Sequence, residues 1–184
     1  MTTDPAARDA PGAEEWGDEP LPSADHPLVG DRHEAVDLPV IEPELPRDSV
    51  DSEGRVGAVA YPYRVYEAEI EVDRPLLAPR QDRRVISVDR SRRLAVRADT
   101  VPEVADRRVE DVLVLPGELS PAQADEKARE AAFQWTLRGS ILADAPDIEF
   151  ARVVDAYKLF WLAERPAGDV IIDSVRGEER PYEG

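Results

Sequence analysis

The residues with the strongest claim to chemistry are few and scattered. His26 and His33 are the only histidines; they lie seven apart in a proline-rich stretch with no third ligand beside them, so they define no metal geometry. Cysteine is absent, which removes disulfides, thiolate nucleophiles and cysteine-ligated zinc or iron–sulfur clusters. Carboxylates are abundant, but with 40 Asp and Glu residues almost any spacing arises by chance. Glu67, Glu69 and Glu71 alternate along one strand face about 7 Å apart, a spacing that suits a bound cation or an ordinary solvated face. No glycine pattern able to cradle phosphates occurs, and no strand–Ser–helix elbow. The sequence therefore predicts a protein that is not an enzyme and holds no cofactor or metal.

One local concentration of charge stands out. Between Arg80 and Arg97 lie Arg80, Arg83, Arg84, Arg90, Arg92, Arg93 and Arg97 against only Asp82 and Asp89. A net charge of +5 within a chain of net charge −17 is suited to gripping phosphates or an acidic partner. The alternative is pairing with the protein's own carboxylates, the acidic N-terminal region included. A second candidate surface is apolar: Phe133 and Leu137 point away from the small-residue face of a predicted helix, toward a covering segment at residues 140–150 or a partner.

The elements that would position these groups follow from periodicity. Ala58–Asp73 alternates apolar and polar residues, with the parity switching at Val65–Tyr66, which predicts a strand with a bulge or bend there. Residues 84–89 and 93–97 read as a hairpin, 112–115 as a short strand, and 150–164 and 170–175 as two closing strands. Between them Ser120 caps, Pro121 starts and Gln123 completes a capping box for a helix running to Arg138, with Gly139 as its stop. The fold class expected is α+β: a mainly antiparallel sheet with one long helix packed on one face, in two layers. Tyr63-Arg64-Val65-Tyr66 is echoed by Tyr157-Lys158-Leu159-Phe160, each followed by a returning strand, a similarity short enough to arise by chance.

Composition divides the chain into residues 1–53 and 54–184. The first stretch holds 15 acidic and three basic residues and eight of the 17 prolines, which predicts a disordered acidic tail ahead of a single domain. Within it, residues 35–46 and Trp16 carry enough apolar side chains to dock on a partner or on the domain. Arginine outnumbers lysine by 21 to two, and with the acidic excess this resembles cytoplasmic proteins of salt-accumulating halophiles; a high-GC coding bias is the alternative source of the arginine preference. In molar salt the Debye length falls to about 3 Å, which screens the self-repulsion of such a chain. No apolar run has membrane-spanning length and no signal pattern opens the chain, so cytoplasmic location without membrane insertion is expected. These features predict an interaction or accessory module for a protein partner, with nucleic-acid association through the arginine hairpin as the alternative, regulated by the acidic tail.

Overall fold

The organising element is β2 (Val56–Arg74), a single strand 19 residues long. In the computed structural model, which describes residues 19–23, 26–74, 77–138 and 145–182, it pairs antiparallel with β3 (Leu77–Asp89) on one side. On the other it pairs antiparallel with β6 (Asp147–Ala163) along nearly its whole length. Its first residues, Ala58–Ala60, also pair in parallel with the end of β5 (Val104–Val114). β1 (Asp31–Ile41) runs antiparallel to β5 and meets β6 at Val40 and Tyr157. The ring β1–β5–β2–β6 is thereby closed. β4 (Leu94–Ala98) continues the sheet beyond β3, and β7 (Val170–Asp173) and β8 (Glu179–Pro181) continue it beyond β6.

This corrects the expected two-layer α+β sandwich. Strands account for 53% of the described residues and helix for 14%, and the sheet closes into a barrel instead of lying open under one helix. The ring is small, so its interior takes small residues: Ala58, Ala60 and Ala163 stand beside Leu38, Val40, Val109, Val112 and Leu159. Trp161 fills the remaining space and satisfies its indole by donating Nε1–H to the Leu45 carbonyl at 2.9 Å.

The helix α1 (Pro121–Arg138) has the predicted range and its reciprocal cap: Gln123 N–H donates to Ser120 Oγ, and Ser120 N–H to Gln123 Oε1. It covers only the projecting part of the sheet. Ala124, Ala128 and Ala132 rest on Tyr66, Ala68, Ile70, Val72, Ile86 and Val88, the small residues allowing close approach.

The expected bulge in β2 is also corrected. From Ala58 to Tyr63 the strand is buried on both faces, with even residues in the barrel and Val59, Tyr61 and Tyr63 under another apolar cluster. From Tyr66 onward only the helix side is buried. A change in what covers the strand therefore mimics a parity switch. One bulge lies opposite, in β6, where Glu67 and Ala68 face Arg152 and Phe150 with Ala151 extra between them, and a second register shift lies against β3 between Val72 and Arg74.

Position 53 marks no boundary between disorder and fold. β1 lies within the acidic stretch, and a short 3₁₀ turn, Arg47–Ser49, follows it. Its carboxylates are met by basic residues of β5: Glu42 pairs with Arg107, and Asp37 lies 3.8 Å from Arg108. Pro39 is tolerated because β1 is flanked by β5 throughout but by β6 only at Val40. Before β1, residues 19–23 and 26–29 lie across the outer face of β2 and β6, with Leu21 and Leu28 on the cluster of Val59, Tyr61, Tyr63 and Phe160. Gly30 joins this segment to β1, and a Cβ there would meet the Val114 carbonyl oxygen at 2.2 Å. Trp16 lies outside the described residues.

Candidate functional site

The antiparallel pairing of β2 with β6 places Tyr61 opposite Lys158 and Val59 opposite Phe160, all on the face that also carries Tyr63. β3 ends with Asp89 opposite Tyr63, and β7 ends with Asp173 opposite Phe160. Each aspartate then organises the turn that follows it. Asp89 Oδ1 accepts from the backbone N–H groups of Ser91 (2.8 Å) and Arg92 (2.9 Å). Asp173 Oδ1 accepts from those of Val175 (2.9 Å) and Arg176 (3.1 Å). These are two turns of one kind, Asp-Arg-Ser-Arg and Asp-Ser-Val-Arg, each delivering an arginine at its fourth position.

The two turns are related by an approximate two-fold exchange of β2 with β6. Exchanging Tyr63 with Phe160 carries the pair Tyr63–Ala156 onto the pair Val59–Phe160, so the register of the strands is preserved. The sequence echo of Tyr63 at Tyr157 is not this relation: Tyr157 packs against the barrel cluster, whereas Phe160 shares the outer cluster with Tyr63.

Glu19 occupies the space between the turns. Lys158 Nζ lies 2.8 Å from Glu19 Oε2 and 2.7 Å from Asp173 Oδ2. Arg92 Nη2 and the Tyr63 hydroxyl both donate to Glu19 Oε1, and Arg92 Nε donates to Asp89 Oδ2. The side chains of Glu19, Arg92 and Lys158 are 7–8% exposed, and those of Asp89 and Asp173 1%. Charges this deep are tolerated only when paired and hydrogen-bonded, and every one here is. Aromatic faces complete the enclosure, with the Arg92 guanidinium 5.2 Å from the Tyr61 ring centroid and Lys158 Nζ 5.2 Å from that of Phe160.

The backbone of the same segment is gripped residue by residue. Arg176 Nη1 donates to the Glu19 carbonyl (3.1 Å), Arg92 Nη1 to that of Pro20, and Arg180 Nη1 to that of Leu21 (3.2 Å). Beside this grip lies a cleft of about 330 Å³, with Glu19, Tyr63, Val65, Ser87, Lys158 and Arg176 among its lining.

The electrostatics hold Tyr63 and Arg92 in their protonated forms. Burial raises the Tyr63 phenol well above its ordinary range, and the nearby Glu19 charge adds to the effect. Burial opposes the charge on Arg92, but Tyr63, Asp89 and Glu19 outweigh it and its pKa is raised. What results is a buried site closed around one carboxylate, that of Glu19.

Of the seven arginines singled out by sequence, the structure brings only Arg92 into this socket. Arg90 holds the loop before α1 through its Nε–H to the Leu119 carbonyl at 2.8 Å. Arg83 pairs with Glu67 and Glu69 at 3.1 and 3.0 Å, Arg84 lies 2.9 Å from Asp82, and Arg80 lies 3.9 Å from it. Arg93 sits in the turn with φ of 59°, and Arg97 lies on β4 opposite Ile86. Glu71 accepts from Gln81, so the Glu67–Glu69–Glu71 ladder meets neighbouring side chains of β3. Phe133 and Leu137 are both 38% exposed on α1; residues 139–144 lie outside the described residues. His26 stands near Tyr61 and His33 lies on β1.

Sequence reasoning missed Glu19, Asp89, Lys158, Asp173 and Arg176. A signal for three of them, Asp89, Asp173 and Arg176, was present in the repeated Asp-x-x-Arg after two apolar strands; Lys158 stands outside that repeat, and Glu19 had no signal, being one of many acids in its region. Among the described residues, no group of three or more His, Cys, Asp or Glu side chains is placed to hold a metal ion, and no helix is long and apolar enough to cross a membrane. No family model, no curated protein and no solved structure matches this chain.

Proposed function

We propose that the protein is a non-enzymatic interaction module, an accessory subunit of a salt-adapted cytoplasm that holds an extended protein segment across the outer face of its barrel. The observation that supports this is the grip on Glu19, Pro20 and Leu21: three consecutive carbonyls, each taken by a different arginine, with the glutamate carboxylate seated in a buried socket. Main-chain bonds that give affinity, joined to a side-chain pocket that gives selectivity, are the usual division of labour in peptide recognition. Here the chain's own residues 19–23 and 26–29 occupy the face, and a partner would exchange with them. Phe133 and Leu137 offer a separate apolar contact on α1.

The nucleic-acid alternative draws less support. Arg92 is buried, and Arg83 and Arg84 meet carboxylates of their own sheet, so the hairpin does not present a continuous row of cations to phosphates. Molar salt would weaken such contacts further.

A photo-crosslinking residue at Ser23 in the full chain tests the module. Capture in molar salt of a reproducible partner, crosslinked at Ser23 and lost when the Arg92 grip is removed, is the expected result. A chain that stays monomeric and captures nothing reproducible would overturn the proposal.

A further inference from the structure

The socket also specifies which segment it takes. We infer that its ligand class is an extended acidic peptide of the form Glu-Pro-Leu-Pro, with the glutamate carboxylate as the group that determines specificity; this rests on the binding role proposed above. The resident segment, Glu19-Pro20-Leu21-Pro22, shows the fit position by position.

The carboxylate comes first. Lys158 Nζ, Arg92 Nη2 and the Tyr63 hydroxyl converge on it, while Lys158 and Arg92 are already paired with Asp173 and Asp89. When the glutamate leaves, both cations keep their aspartates. The vacated socket is then electrically balanced, but the Tyr63 O–H has lost its acceptor and Lys158 Nζ and Arg92 Nη2 each keep only one of two, Asp173 and the Tyr63 hydroxyl oxygen, a costly state that a monoanion relieves. Asp89 and Asp173 standing beside it repel a doubly charged phosphate.

The following positions favour proline and leucine. Pro20 and Pro22 have no N–H to satisfy, and Pro22 is buried. Their fixed φ holds the segment extended before binding and lowers the entropy of ordering it. Leu21 enters the apolar cluster of Val59, Tyr61, Tyr63, Leu115, Phe160 and Ile171, while its carbonyl meets Arg180. The tether at Gly30 keeps the resident segment at millimolar effective concentration, so it acts as a competitor built into the chain.

The experiment uses full-length chains carrying Glu19→Gln or, separately, Leu21→Ser, each of which weakens the resident segment without altering the barrel. A fluorescent synthetic peptide of residues 17–29 is titrated against them in molar salt and followed by anisotropy. Both variant chains are expected to bind it, and to bind the same peptide carrying Glu19→Gln about tenfold more weakly or worse. Wild-type chain should bind either peptide more weakly than the variants do. Equal affinity for the two peptides would overturn the carboxylate specificity and leave the binding role standing. Failure of either natively folded variant (by circular dichroism) to bind any peptide would overturn the binding role itself. Displacement of the peptide by millimolar inorganic phosphate would reassign the socket as a general anion site and also overturn the inference.

Discussion

Two charged clusters built from the same residue types lie along β2 and β3, and the protein uses them in opposite ways. At the Tyr63 end, Glu19, Asp89, Arg92, Lys158 and Asp173 form the socket, with side chains 1–8% exposed. Further along, Arg83 pairs with Glu67 and Glu69 in water, the Arg83 side chain 64% exposed. The difference is one of dielectric, not of chemistry. A buried charge that loses its partner keeps its full desolvation cost, about 3–5 kcal/mol, whereas an exposed pair is worth about 0–1 kcal/mol. In molar salt the contrast widens, because a Debye length of about 3 Å screens the exposed ladder and leaves the enclosed socket untouched.

The largest expected effect comes from alkali, which attacks the buried side of the comparison. Burial raises the phenols of Tyr61, Tyr63 and Tyr66, with Glu19 adding to the shift at Tyr63 and a hydrogen bond to Asp125 adding to it at Tyr66. The folded protein therefore holds protons that the unfolded chain releases near pH 10, so stability is full below that pH and falls above it. Each such phenol contributes about 1.4 kcal/mol per pH unit. Phenolate absorbance from these three residues should appear together with unfolding; smooth ionisation near pH 10 with native circular dichroism retained would contradict the burial. Next in size is Lys158→Met. It strips the buried Asp173 of its cation and leaves Glu19 with Arg92 alone, and a loss of about 3–5 kcal/mol in denaturant unfolding is expected. Glu19→Gln should cost less, about 1–3 kcal/mol, because Lys158 and Arg92 retain Asp173 and Asp89. A Glu19→Gln loss equal to that of Lys158→Met would mean the cations depend on Glu19 alone.

Some of this was legible in the sequence, and what separates the legible from the hidden is locality. The α1 boundaries depend on Ser120, Pro121 and Gln123, all within one turn, and the reading of those residues coincides with the helix. The alternation from Tyr66 to Val72 reports one buried face and is correct as far as it goes. The closed barrel was hidden because β1 depends on residues distant in sequence: its Asp37 and the Glu42 that follows it meet Arg108 and Arg107 of β5, and its closing contact is Val40 with Tyr157. Composition judged residues 1–53 in isolation and so missed the partners that offset their charge. The socket was half visible. Arg92 stood out within an arginine cluster, but Lys158 looked like one polar residue in an apolar strand, and nothing marked Glu19 among its acidic neighbours.

The smallest effect sharpens the comparison from the exposed side. Arg83→Ala removes the cation that bridges Glu67 and Glu69, and it leaves those carboxylates in water, where repulsion between them is weak. The expected loss is at most about 1 kcal/mol at low salt. In molar salt it should fall toward zero, since screening acts on the pair and on the repulsion alike. Glu19→Gln should behave differently, with a cost nearly independent of salt because its charges are enclosed by Tyr61, Tyr63 and Phe160. Denaturant midpoints for both variants at low and high salt give the test. If the two losses shrink in parallel as salt rises, solvent ions reach the socket, and its claim to hold a partner in molar salt falls with its burial.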